Sequence, residues 1–217
     1  MASGPPLLSS ADAQALDVVL ADARERGFLG PGPVSGHVRH ALGFAAAAGA
    51  PGNRSCALDL GSGAGIPGLV LALAWPDTSW ALLEAHGHKA AFLEAAAARL
   101  ALTGRVVVLN GRAEVLGHDP QLRGAFSLAV ARSFGRPSVT AECAAGFLAV
   151  GGRLVVSEPP TTDRERWSDH GLAQVGMRRG EAIAVDGVGH FQLAEQSSPC
   201  PPRHPRRVGV PAKRPLF

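Results

Sequence analysis

Apolar residues fall into two rhythms along the chain, one of helical period and one of short continuous runs, and glycine marks most changes between them. Leu16, Val19, Leu20 and Ala23 recur at three- and four-residue spacing behind Ser10, which predicts an amphipathic helix to about Arg26 with Gly27 as its stop. Phe28–Val34 reads as a loop, and a second helix is expected from His37 to Ala48. From there the pattern alternates. Ser55–Leu60, Trp80–Glu84, Arg105–Asn110, Phe126–Ala131 and Arg153–Ser157 read as strands, with helices expected at Pro67–Trp75, Lys89–Leu102 and Pro137–Leu148. A helix around Asp163–Gln174 and two strands, Glu181–Val185 and His190–Ala194, close the series. Strands alternating with helices imply a parallel sheet covered on both faces, because a parallel crossover needs a helix. The apolar runs Val106–Leu109 and Ser127–Ala131 suit strands buried on both sides. The short Asp186–Gly189 turn suggests an antiparallel hairpin at one edge. The expected fold is therefore α/β and Rossmann-like, a mostly parallel seven-stranded sheet with an antiparallel edge hairpin and N-terminal helices. By this reading residues 1–52 form a helical cap, 53–198 the sheet domain and 199–217 a tail.

Composition narrows the class. At 217 residues and 46% hydrophobic, the chain is sized for one domain with a short appendage. No apolar run reaches the roughly 18–20 residues of a membrane span, and Met1–Ser10 lacks the basic segment of a secretion signal. Cys56, Cys143 and Cys200 lie far apart with no CxxC, which fits a reducing cytoplasm and speaks against structural zinc. Cys56, inside a strand, and Cys143, on a helix face, read as core packing. The pairs His86/His88 and His37/His40 have no Asp or Cys at ligand spacing, so they read as solvated or capping and no metal is expected.

Charge is uneven. Of the net +3, the stretch Pro199–Phe217 holds +5, from Arg203, Arg206, Arg207, Lys213 and Arg214, which leaves the remainder at −2. Such a tail suits an anionic partner such as nucleic acid; a solubilising end accounts for the same charge. Only two of the 21 basic residues are lysine and 38 residues are alanine, a bias of the kind GC-rich codons produce, so the arginine excess is not in itself a functional sign.

The densest chemical signal is Leu58-Asp59-Leu60-Gly61-Ser62-Gly63-Ala64-Gly65-Ile66-Pro67-Gly68. Glycines there let the backbone turn tightly and a ligand come close, and the helix beginning near Pro67 offers unpaired N–H groups and a positive dipole end. Ligands of α/β sheets sit beyond the carboxyl ends of strands, beside such a turn. Gly63-x-Gly65-x-x-Gly68 formally matches the dinucleotide fingerprint. Yet Asp59 at its approach repels a pyrophosphate and attracts an ammonium, and the glycine core follows the strand directly. S-adenosylmethionine, with an ammonium and a carboxylate at its amino-acid end, fits better than a nicotinamide or flavin dinucleotide. Glu84 closes the second strand 23 residues after Gly61. That is near the roughly 20-residue offset at which an acid grips ribose hydroxyls, the alternative being a solvated strand-end charge. Asn110–Glu114 follows the third strand, where an adenine edge would lie within reach of the Ala113 N–H and the Glu114 carboxylate.

These residues carry a resemblance. LDLGSGAGIPGL, LLEAHGHKAAFLEAAA, NGRAE, AVARSF, LAVGGRLVV and the ending HPRRVGVPAKRPL resemble ribosomal RNA small subunit methyltransferase G, a family also called glucose-inhibited division protein B. The likeness spans roughly Ser55–Ser157 and the tail, and its most specific part is GSGAGIPG followed by Lys89, Phe92, Leu93 and an Arg-x-Phe. The resemblance implies a class I S-adenosylmethionine-dependent methyltransferase fold and transfer of a methyl group to N7 of a guanosine in 16S rRNA. It implies donor contacts at Gly61, Ile66, Ala113 and Glu114, and places Arg132 beside donor and substrate. The chain departs from the family pattern at Gly36–Leu42, which keeps only Arg39-His40, and at Ser157–Pro160, where a lysine–glycine pair is common. A small molecule or another RNA as acceptor, or a non-catalytic module of the same fold, are the alternatives these departures leave.

The implied chemistry is undemanding. Guanine N7 carries a free lone pair, so methylation there needs alignment and exclusion of water, not a general base. No Asp/Asn-Pro-Pro-aromatic signature follows the fourth strand; Ser157-Glu158-Pro159-Pro160 follows the fifth and reads as a turn. Arg112 and Arg132 suit phosphates or guanine edges, with pairing to a neighbouring acid the alternative for each; Arg132 is read as functional, and Arg112 is left open between the two. With the five basic tail residues, Arg112 completes the candidate RNA contacts, the partner being small-subunit rRNA or the ribosomal subunit.

Overall fold

The computed structural model describes residues 8–52, 55–160 and 166–217. Helix α1 (Ser10–Glu25) is capped by Ser9, one residue earlier than expected, whose side chain accepts from the Asp12 N–H. Its buried stripe is Leu16, Val19, Leu20 and Ala23. Helix α2 (Val34–Ala48) starts three residues before the expected His37, directly after Pro33. Then come β1 (Cys56–Leu60), α3 (Gly68–Ala74), β2 (Ser79–Glu84), α4 (Gly87–Arg99), β3 (Val106–Asn110), the short α5 (Ala113–Leu116), β4 (Phe126–Ala131), α6 (Pro137–Ala145) and β5 (Leu148–Glu158). The chain ends with α7 (Asp169–Ala173), β6 (Met177–Val185), β7 (Gly189–Gln196) and α8 (Val210–Lys213).

The sheet runs β3-β2-β1-β4-β5-β7-β6. The first five strands are parallel, whereas β7 pairs antiparallel with both β5 and β6, forming the expected edge hairpin. Because strand order reverses between β1 and β4, crossovers leave these neighbours in opposite directions and open a crevice beyond their carboxyl ends.

Alternation along the strands divides the core between two faces. Ala57, Leu82, Leu128 and Val130 meet α1 to α4 on one side, where Leu16, Leu20 and Phe44 share the cluster. Leu58, Leu60, Leu83 and Ala129 meet α6 and α7 on the other, with Phe147 and Trp167. Each fully buried leucine contributes about 1.5–3 kcal/mol by leaving water, so α1 and α2 are held by the same burial that holds the sheet. Trp75 and Trp80 stack at 6.2 Å and 13° within the first cluster.

Beyond shifted element ends, four departures from the sequence pattern bear on the site and its surroundings. β5 begins at Leu148 and not Arg153, because Gly151 and Gly152 lie inside the strand at a register shift opposite Phe126 and Leu128. Only Asp169–Ala173 of the helix expected at Asp163–Gln174 is helical, and Asp163–Glu165 lie outside the described residues. Cys56, read as core, is exposed at the start of β1; Cys143 is buried.

The fourth departure is the tail, which does not dangle. Arg123 donates to the carbonyls of Gly117, Cys200, Pro201 and His204, and the His118 Nε2–H reaches the Pro205 carbonyl at 2.6 Å. Glu142 on α6 is fully buried, with Arg206 Nε and Nη2 at 2.8 and 2.6 Å, the Arg206 N–H at 2.9 Å and His204 Nδ1 at 3.0 Å. Burial pushes the Glu142 carboxyl up, but the hydrogen bonds from Arg206 and His204 outweigh it and hold the group below the ordinary value. Farther on, the Phe217 ring covers Gly171 of α7.

Candidate active site

A cavity of about 740 Å³ opens at the carboxyl ends of β1, β2 and β4. Its floor is the turn leaving β1, with Gly61–Ala64 and Ile66 facing the space. Gly61 has φ +76°, and a Cβ there would meet the Phe134 ring at 2.6 Å, so only glycine lets the turn pass beneath that ring. Gly65, a sequence candidate for donor contact, does not line the cavity. At φ +85° its missing Cβ makes room for Leu69 and Leu93, so it serves close packing of the turn onto α3 and α4.

Glu84 ends β2 with its carboxylate turned toward this floor. Oε2 accepts from the Gly63 N–H at 3.0 Å, while Oε1 accepts from the His86 N–H at 2.9 Å and lies 2.8 Å from His86 Nδ1. Burial raises the Glu84 carboxyl, the bonds from His86 and Gly63 lower it, and the balance falls below the ordinary carboxylate value. The acid is thus ionised and aimed at the turn. His86, read as solvated or capping, caps α4 by position and bonds to this acid.

Asp59 is a correction. Read as facing a bound ammonium, it is 1% exposed and lies under the turn, outside the cavity lining. Its Oδ2 accepts from the Gly68 N–H at 3.0 Å, tying the far end of the turn to β1, and Oδ1 has no hydrogen-bond partner among the described residues. Burial pushes its carboxyl up to about 7, against the Gly68 hydrogen bond.

Ala113 and Glu114 line the cavity, and the Glu114 carboxylate is already engaged by other groups of the chain. Its Oε1 accepts from Arg112 Nη2 at 3.1 Å and from the tail's Gly209 N–H at 3.1 Å. Arg112 therefore takes the neighbouring acid that was its alternative reading, while keeping half of its side chain exposed. Arg132, at the end of β4, lines the cavity and donates from Nη2 to His37 Nδ1 at 2.7 Å. Burial lowers its pKa, with the Asp59 charge acting the other way.

Of the tail's candidate RNA contacts, Arg206 is corrected: its guanidinium is engaged by the buried Glu142. Arg203, Arg207, Lys213 and Arg214 are exposed. The tail contributes differently, through Ala212, which lines the cavity. Phe28–Gly30, Ser133–Arg136 and Lys89 also form its wall. Phe134 and Lys89 stand within motifs already singled out, but nothing in the Phe28–Gly30 loop or at Ala212 announces a wall, since both arrive from distant parts of the chain.

The rRNA small subunit methyltransferase G family model matches residues 37–167. The ribosomal RNA small subunit methyltransferase G of Prochlorococcus marinus (strain MIT 9313) is 39% identical over 175 residues, covering 75% of this chain and 68% of that protein. The chain belongs to the rRNA small subunit methyltransferase G family. Its fold is shared more widely. A putative O-methyltransferase from Klebsiella pneumoniae superposes with a TM-score of 0.58 at 17% identity, over 85% of this chain and 90% of that one. TYW2 of M. jannaschii, in complex with AdoMet, superposes with a TM-score of 0.54 at 14% identity, over 74% of each chain. A family member on this sheet is a methyltransferase of the class I fold, and its cavity lies at the crevice that sheet topology dictates. Among the described residues no helix is long and apolar enough to cross a membrane.

Proposed function

We propose that this methyltransferase moves a methyl group from S-adenosylmethionine to N7 of a guanine in 16S rRNA. The observation that carries the reading is the ionised Glu84 carboxylate bonded to the Gly63 N–H at the floor of an open cavity. That pairing suits a nucleoside, because an acid fixed beside a backbone turn can still accept from ribose hydroxyls through its remaining lone pairs. A volume of about 740 Å³ suits a ligand of that size with room for a base.

Glu84 would hold the donor's sugar, Gly61, Gly63 and Ile66 its amino-acid end, and Ala113 with the backbone of Glu114 its adenine. Asp59 supports this set from beneath by fixing Gly68. When bound, the donor supplies an electrophilic methyl on a sulfonium. The chain's own part is alignment. Arg132 would offer its remaining N–H groups to the acceptor, and the Phe134 ring and Ala212 add apolar surface to the cavity wall. No group needs to remove a proton, since the N7 lone pair is free.

Support for an RNA acceptor comes from family membership and from the exposed Arg112, Arg203, Arg207, Lys213 and Arg214. Such a partner suits a cytoplasmic setting with the ribosomal subunit. Mass-spectrometric mapping of rRNA from a strain lacking this protein is expected to show the loss of one N7-methylguanosine, restored by the wild-type gene and not by a Glu84→Ala version. An unchanged map would overturn the reading.

A further inference from the structure

We infer that His37 is a positioning residue, a neutral imidazole that tethers Arg132 from one ring nitrogen and the Phe28–Gly30 wall from the other. This inference deepens the functional reading and rests on it for what Arg132 does.

The hydrogen bonds fix the tautomer. A guanidinium can only donate, so His37 Nδ1, 2.7 Å from Arg132 Nη2, must carry a lone pair. The Gly30 carbonyl can only accept, so Nε2, 3.2 Å away, must carry the proton. A doubly protonated ring would set an N–H against the guanidinium and break the first of these bonds. His37 lies in the first turn of α2 and is 9% exposed, so its ring cannot easily find other partners. One side chain thus joins two parts of the cavity wall, Gly30 before α2 and Arg132 after β4.

The need for such a tether follows from charge. The sulfonium repels the Arg132 guanidinium and the donor's carboxylate attracts it, and neither charge by itself fixes the direction of its N–H groups, so a directed partner within the protein is needed. Asp59 attracts Arg132 from beneath, but Coulomb attraction has little direction. The neutral Nδ1 lone pair supplies direction without adding charge. His40, one helical turn on, cannot substitute. Its Nδ1 is buried without a partner among the described residues and its ring packs against Phe44 and Phe191. With Nη2 held, the rest of the guanidinium is oriented within the cavity wall.

The test compares the parent with His37→Ala, which removes the tether, and His37→Gln, which restores an acceptor and a donor on one side chain. Single-turnover methyl transfer to small ribosomal subunits, donor affinity by calorimetry and thermal melting are measured for each. His37→Ala is expected to slow transfer by about tenfold or more with donor affinity within about twofold of the parent, and His37→Gln to recover most of the rate. A rate for His37→Ala within about twofold of the parent overturns the inference, as does a parallel fall in rate, donor affinity and melting temperature that Gln does not rescue. Nitrogen-15 NMR of the histidine rings judges the tether without reference to activity. A His37 spectrum with the proton on Nδ1 overturns it, and a protonated Nε2 with a bare Nδ1 upholds it. Should the parent transfer no methyl to the subunit, the functional reading fails, and the tether still stands or falls by the NMR result.

Discussion

Asp59 is the residue where local chemistry is most exposed to experiment. A carboxyl whose ordinary value is 3.8 is pushed up to about 7 by complete burial, so the folded chain keeps a proton that the unfolded chain releases. Between those values the folded state binds more protons, and stability must fall as pH rises. Above about 7 both states are ionised and the deficit is at its full size, on the order of a few kcal/mol. Asn at this position keeps an acceptor for the Gly68 N–H and does not titrate. Thermal melts from pH 4 to pH 8 are therefore expected to show Asp59→Asn gaining on the parent as pH rises and melting higher at pH 8. Parallel melting curves across that range would show that Asp59 is ionised throughout. The residue itself was legible in the sequence as part of the motif, but its direction was not. A side chain at the end of a central strand points to one face or the other by strand parity, and only the packed helices reveal which face is closed.

Among the elements, the last segment changes most between sequence and structure. Composition shows five cations and no acid there, which reads as an arm for an anionic partner. What composition hides is Glu142, a single acid on α6 whose fully buried carboxylate draws in Arg206 and His204. Removing one member of such a buried set costs about 3–5 kcal/mol, because the partner charge is left unpaired. Glu142→Gln, which keeps the shape and drops the charge, is expected to lower the melting temperature and, by loosening the Gly209 contact to Glu114, to weaken donor binding measured by calorimetry. Donor affinity unchanged from the parent in a destabilised Glu142→Gln would separate the segment from the cavity. The strands and long helices were by contrast readable, because β1 to β4 are short, predominantly apolar runs and α1 carries a clean helical stripe. The four-residue α5 and α8 carry no period to read.

For the whole molecule, the distribution of charge decides how an RNA is held. Arg207, Lys213 and Arg214 are exposed, the last two following directly on the cavity-lining Ala212, whereas Arg206 is committed inward. Substituting the three exposed cations by alanine is expected to weaken RNA binding and to flatten its salt dependence by about 0.7–0.9 in log–log slope for each phosphate that is no longer neutralised. Melting temperature should stay near that of the parent. Arg206→Ala is expected to do the reverse, lowering melting temperature with little change in slope. A common salt slope for all these variants would place the RNA on another face.

The position of Ala212 and Gly209 in the chain has a consequence for the protein's birth. Every strand of the sheet leaves the ribosome before the residues that close the cavity, and proteins made from their amino end fold as they emerge. The sheet and its glycine turn can therefore assemble on a nascent chain that still lacks one wall, and that wall is completed only after residues 209–212 have emerged.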